Sequence, residues 1–316
     1  MSASSADILP DTQAGIARAA ELLREGKLVA VPTETVYGLA ARADSAEAVA
    51  AIYRTKGRPD FNPLIVHVAS LEQAGTLVAL DARARLLAET FWPGPLTMVL
   101  PLKPGAPVTP AVTAGLATLA IRSPAHPLTR SLLARLGLPV AAPSANRSLG
   151  VSPTRPDHVA ASFGEACPPI LDGGECTAGV ESTIIALRPH GGWNLLRPGP
   201  VTREELAAVL GEPDSANSAG IEAPGQLSVH YSPGKPVRLN ATSAEPDEYW
   251  IGFGKRAGAA NLSPTGDLAE AAARLYACLH DAAQDTRPRI AIAPIPATGM
   301  GVAINDRLTR AAAIQG

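Results

Sequence analysis

Short apolar runs that stop at a proline or at a knot of hydroxyl, amide and guanidinium side chains recur along most of this chain, which leaves few architectures open. Lys27–Val31 (KLVAV) stops at Pro32 and opens into Thr33-Glu34-Thr35-Val36-Tyr37-Gly38. Leu64–Val68 (LIVHV) is preceded by Lys56-Gly57-Arg58-Pro59 and by Asn62-Pro63. Thr97–Leu100, Thr118–Arg122, Val140–Ala142 and Ser182–Leu187 (STIIAL) repeat the pattern. Runs of this length, bounded by breakers, predict strands.

Helical patterns lie between them. Ala14–Glu25 places Ile16, Ala19, Leu22 and Leu23 on one face and meets a stop at Gly26. Ser45 is a candidate N-cap for a helix reaching Lys56, and further helices are expected at Arg83–Phe91, Pro127–Arg135, Pro156–Phe163 and Arg203–Leu210. Interleaved strands and helices predict an α/β (α+β) class with a mixed sheet. From 212 to 237 neither period survives and Gly, Pro, Ser, Asn and Ala dominate, which predicts a linker. Beyond it, strands at Tyr249–Phe253 and Arg289–Ala293, a helix at Leu268–Ala283 and a last helix from about Asn305 predict a second α/β unit. The expected division is therefore 1–211, 212–237 and 238–316.

Charge and cysteine content exclude several classes. The chain has 316 residues, 27 basic against 29 acidic, for a net charge of −2. That argues against holding a bulk polyanion by charge alone, while leaving a local basic pocket open. Cys167, Cys176 and Cys278 form no CxxC pair and no metal-ligand spacing, as in free thiols of a reducing compartment. The N-terminal stretch shows no basic region followed by an apolar run, and no apolar run is long enough to span a bilayer, so a cytoplasmic location is expected. No GxxxxGK[ST], HExxH or GxSxG is present, and the glycines at Gly299 and Gly301 lack the third of a dinucleotide fingerprint.

The polar knots carry the chemical signal, although each alone has a plain explanation. Thr33 to Tyr37 crowds hydroxyls at a strand's end, where open sheets bind ligands, and a capped turn explains it equally well. Lys56 and Arg58 near a helix C-terminus are more often dipole complements than ligands. By alternation His67 shares a strand face with Ile65, opposite Leu64, Val66 and Val68. Arg122 ends a strand beside Ser123-Pro124, well placed for a carboxylate or phosphate. Ser144, Asn146, Ser152, Ser182 and Arg197 stand at comparable positions. Their repetition within one unit is the argument for a site assembled from many loops.

Taken together, PTETVYGL, KGRP with NPL and HV, PGPLT, APSAN and GVESTI, in this order, resemble the YrdC-like domain. QLSVHYSPGK at Gln226–Lys235 and GVAINDRLTR at Gly301–Arg310 are similar to the linker and C-terminal ending of the long, two-domain branch, the threonylcarbamoyl-AMP synthases. The resemblance runs from about Leu22 to Arg310. It implies an open, twisted mixed sheet with helices around a basic concavity, followed by a small Rossmann-like domain. The implied activity is formation of threonylcarbamoyl-AMP and pyrophosphate from L-threonine, bicarbonate or CO2 and ATP. The product would pass to a tRNA threonylcarbamoyltransferase that modifies adenosine beside the anticodon.

The resemblance also implies roles. Thr35, His67, Arg122 and Ser182, with the Ala142 backbone, match positions that hold threonine. Arg58, Asn62, Thr118, Ser144, Ser152 and Arg197 match positions that hold ATP, with Tyr231 reaching the nucleotide from the linker. Lys56 and Asn146 complete the KxR and SxN pairs beside the phosphates. On this reading catalysis rests on charge stabilisation by Lys56, Arg58 and Arg197, without a covalent nucleophile. Mg²⁺ arrives with ATP, held by its phosphates rather than by a dedicated protein site. An RNA-binding module is the first rival, opposed by the near-neutral charge and an aromatic content of 4%. A synthase using another carbamoyl donor is the second, opposed by the absence of acylphosphatase-like and zinc-finger segments.

Overall fold

A computed structural model describes residues 6–214, 222–223 and 230–313. The first unit holds strands β1 (Ile8–Leu9), β2 (Val29–Val31), β3 (Gly38–Arg42), β4 (Ile65–His67) and β5 (Leu96–Pro101). It continues with β6 (Thr118–Arg122), β7 (Val140–Ala141), β8 (Ile170–Leu171), β9 (Thr183–Leu187) and β10 (Trp193–Arg197). They form one ten-stranded sheet in the order β1-β8-β2-β3-β7-β4-β6-β5-β9-β10. Parallel pairs such as β4·β6 and β5·β9 alternate with antiparallel ones such as β4·β7 and β5·β6, so the sheet is mixed.

The helices follow the breaker chemistry closely. α1 (Gln13–Arg24) is capped by Thr12, and α2 (Ala46–Lys56) by Ser45, whose hydroxyl accepts from the Ala48 N–H. Gly57 closes α2 with φ +60°, a conformation costly for other residues, and so turns the chain between Lys56 and Arg58. α3 (Leu71–Leu77), α4 (Ala82–Phe91), α5 (Pro110–Thr113), α6 (Pro127–Leu136) and α7 (Pro156–Phe163) follow. α8 (Arg203–Leu210) opens with a reciprocal capping box between Thr202 and Glu205. The apolar sides of α2 and α4 join Leu64, Val66 and Val68 in the main core.

One strand was not expected and one expectation needs correction. Val31–Gly38 runs into β3, whose GLAAR sequence has little strand preference and is held by antiparallel pairing with β2 and β7. The last helix, α10 (Met300–Ala312), starts earlier than Asn305: Gly301, Ala303 and Ile304 are buried along its first turns, in spite of the missing side-chain cap.

The second unit is an all-parallel sheet of β11 (Val237–Arg238), β12 (Glu248–Gly252), β13 (Ala260–Asn261) and β14 (Arg289–Ile292), in the order β11-β14-β12-β13. α9 (Leu268–Gln284) and α10 flank it. Its core is not private: Val36, Val151 and Val180 of the first unit pack into the same cluster as Tyr249, Leu275 and Ile304. The expected linker residues Gln226 to Val229 lie outside the described residues. Among the described residues no helix is long and apolar enough to cross a membrane.

Candidate active site

Alternation along β4 puts Ile65 and His67 on one sheet face, as expected, and both line a cleft there. The cleft spans about 580 Å³ when its open mouth is counted. Nine of the residues singled out in the sequence line it: Thr35, Arg58, His67, Arg122, Ala142, Ser144, Ser182, Arg197 and Tyr231. Strand ends from β4, β6, β7, β9 and β10 converge here.

One end is built around Arg122, at the end of β6. Its Nε donates to the Gly94 carbonyl at 3.1 Å, Nη1 to Thr35 Oγ1 at 3.0 Å and Nη2 to Glu34 Oε1 at 2.5 Å. Further N–H donors of the fork remain for a carboxylate. Glu34 also accepts from the Ala125 N–H. Burial pushes Glu34 up, but the Arg122 charge and its hydrogen bonds hold the carboxyl below its ordinary range. Thr35 lies 2.8 Å from Thr33, which in turn donates to the Val36 carbonyl at 2.6 Å. Thr33 has a single proton, so the Thr35 hydroxyl donates to Thr33 and the turn is fixed as a directed chain. Burial, then the Arg122 charge, brings His67 down to about 3, so its imidazole is neutral.

The other end is cationic. Arg58 donates to the carbonyls of Asn62 and Pro63, and Arg197 to the carbonyl and hydroxyl of Ser182. Lys56 donates to the carbonyls of Ser144 and Asn146. All these acceptors are neutral oxygens. Burial, with the opposing fields of Tyr53 and Arg197 behind it, lowers Arg58 to about 10, and burial lowers Arg197 and, strongly, Lys56. Three buried cations bonded to neutral groups are costly unless an anion joins them.

Several expected contacts sit behind the wall instead of on it. Lys56 bolts the Ser144–Asn146 loop, Asn146 donates to the carbonyls of Arg147 and Gly150, and Ser152 donates to Glu181. Thr118 shares the sheet face with Arg122 but stands at the other end of β6, roughly 13 Å away by strand rise. It does not line the cleft. Among the described residues, the buried Oδ1 atoms of Asn62 and Asn146, the Nδ1 atoms of His67, His126 and His230 and the Nε2 atom of His158 have no hydrogen-bond partner, and of these residues His67 and His230 line the cleft.

Sequence reasoning missed a second layer. Glu181 lines the cleft and accepts from Ser152, from Tyr276 and from Arg307, the last two carried by α9 and α10. His280 of α9 bonds the Ser152 carbonyl. A buried carboxylate in the GVESTI segment was the available signal, but its partners are distant in the chain. The cysteines stay inert: burial pushes Cys167 and Cys278 up to about 11 and Cys176 up to about 12. Among the described residues no group of three or more His, Cys, Asp or Glu forms a metal cluster.

Fold and site together define a two-unit α/β protein whose cleft carries Arg58 and Arg197 at one end and Arg122 at the other. The Sua5/YciO/YrdC family model, described as telomere recombination, matches residues 21–199, and the threonylcarbamoyl-AMP synthase C-terminal domain matches 201–313. The chain belongs to this family in its two-domain form. It is 41% identical over 332 residues to threonylcarbamoyl-AMP synthase of Bacillus subtilis, covering 97% of this chain and 95% of that one. It is 46% identical over 230 residues to the Pyrococcus abyssi enzyme, covering 69% and 66%. A crystal structure of P. abyssi Sua5 complexed with L-threonine superposes with a TM-score of 0.88 at 35% identity over 98% of both chains.

Proposed function

We propose that this chain is a threonylcarbamoyl-AMP synthase, joining L-threonine, CO2 from bicarbonate and ATP, with release of pyrophosphate. The observation that carries the reading is the pairing, across one cleft, of Arg58 and Arg197, bonded only to neutral oxygens and backed by Lys56 behind the wall, with the Arg122 clamp. A triphosphate fits the first end and an amino-acid carboxylate the second.

Threonine's carboxylate binds the Arg122 fork, and Thr35, His67 and Ser182 surround the rest of the molecule. Its amine adds to CO2, forming a C–N bond and losing a proton to give a carbamate. A carbamate oxygen then attacks the α-phosphorus in line as the bond to the β-phosphate oxygen breaks. Lys56, Arg58 and Arg197 offset the charge shifting onto the leaving pyrophosphate. The substrate is MgATP: the one carboxylate among the described cleft-lining residues, Glu181, already accepts three hydrogen bonds, so the phosphates themselves hold the ion.

His230 and Tyr231 close the cleft from the linker side, which keeps water from the labile carbamate. The product supplies a transferase that modifies tRNA next to the anticodon. The test is pyrophosphate release with MgATP, bicarbonate and each amino acid in turn. Threonine-dependent release is expected; release independent of the amino acid, or supported equally by carbamoyl phosphate, would overturn the reading.

A further inference from the structure

Glu181 is out of place in a cleft for a polyphosphate. Among the described lining residues it is the one carboxylate, and it lies in the field of Arg197, where an unbalanced negative charge would repel phosphate and compete for the guanidinium group. We infer that Arg307 of the C-terminal domain is a positioning residue of the nucleotide site, neutralising Glu181 so that Arg197 stays free for the phosphates. The inference rests on the cleft being the ATP site.

The geometry is closed around a single guanidinium. Arg307 Nε donates to Glu181 Oε2 at 2.8 Å, and Nη2 donates to the Pro198 carbonyl at 3.0 Å, directly after Arg197. Nη1 pairs with Asp306. The Arg307 side chain is 0% exposed, so no solvent screens these contacts. Tyr276 donates to the same Glu181 oxygen at 2.8 Å, and the Ser152 hydroxyl donates to the other at 2.6 Å. Arg307 also lies over the Tyr231 ring, 5.5 Å from its centroid, while Tyr276 stacks on that ring at 5.6 Å.

One residue of α10 thus reaches the loop before β9, the end of β10 and the linker tyrosine. Burial would push Glu181 up, but Arg307 and then Arg197 hold it at about 2, so it stays ionised. Without Arg307, the next strongest cation in that carboxylate's field is Arg197. Arg197 would then be drawn from the substrate, and the C-terminal domain would affect ATP without touching it.

The test is steady-state pyrophosphate release by the full chain, with ATP and threonine varied separately, below each variant's unfolding temperature. Arg307→Met should raise the KM for ATP on the order of tenfold or more while that for threonine moves less than about twofold. Adding Glu181→Gln to Arg307→Met should recover most of that loss, since the liberated charge is gone, and Arg307→Lys should fall between. A merely structural tie would lower the Tm and the active fraction without separating the two KM values. Equal rises in both, an unchanged ATP KM, or a double variant no better than Arg307→Met would overturn the inference. Should Arg307→Met fail to fold, Tyr276→Phe weakens the same clamp without removing charge: a few-fold rise confined to ATP supports it, and no change refutes it. A wild-type protein without threonine-dependent release would instead refute the assigned activity.

Discussion

Lys56, the last residue of α2, donates its ammonium to the backbone carbonyl of Ser144, 88 residues further along the chain. It makes a second bond to the Asn146 carbonyl, so a cation expected on phosphate holds the loop that faces it. Lys56→Met keeps the stem's packing but strips the Asn146 carbonyl of this partner and leaves the Ser144 carbonyl with the Asn146 N–H alone. Stability should fall by about 1–3 kcal/mol in chemical denaturation, and the KM for ATP should rise on the order of tenfold.

Arg122 offers the opposite case, a clamp on the cleft wall with N–H donors to spare. A lysine at this place keeps the charge but loses the planar fork that spans Gly94, Thr35 and Glu34. Arg122→Lys should raise the KM for threonine roughly 10–100-fold and leave that for ATP nearly unchanged. Kinetics with each substrate varied in turn checks this. A rise shared by both substrates would argue against a carboxylate clamp.

Acid should destabilise the protein well before its carboxylates titrate. His67 and His230 are each held at about 3 by burial against an ordinary 6.5. Between those values the unfolded chain binds protons that the folded chain refuses, so stability rises with pH across the window and is lost as pH falls from about 6.5 toward 3. Glu181, lowered to about 2 from 4.5, adds its loss only below about 4.5. Denaturation between pH 8 and pH 5 should therefore show a loss of about 2 kcal/mol for each such histidine. His67→Gln should flatten the profile; an unaltered slope would show that His67 is not among the titrating groups.

Gly179 marks where the two units touch. At φ +70°, a side chain there would place its Cβ 2.3 Å from Ala273 Cα and 2.4 Å from the Ala272 carbonyl oxygen of α9. Gly179→Ala should push α9 away and with it Tyr276 and His280, which bond Glu181 and the Ser152 carbonyl. Thermal unfolding should show a Tm lower by several degrees, and the KM for ATP should rise more than that for threonine. Unchanged values for both would mean that the contact is not tight in solution.

Much of this was legible in the chain because it depends on near neighbours. Ser45 caps α2, which ends at Lys56, α8 spans Arg203–Leu210, and alternation put His67 on the face opposite Val66. β3 escaped notice because GLAAR carries no strand signal of its own, and its conformation is set by pairing with β2 and β7. Thr118 matched a site position by motif, yet strand rise separates it from Arg122.

The sequence by itself determined the alternation of elements, the polar knots at strand ends and the family, since periodicity, capping and breakers act over a few residues. What only the tertiary structure decided is which charges meet. Arg307 reads as an ordinary position on an amphipathic helix, and it reaches Glu181, 126 residues away, once α10 is packed against the first unit. Whether a buried charge is compensated depends on distances and desolvation in space, and those exist only after the two units have packed.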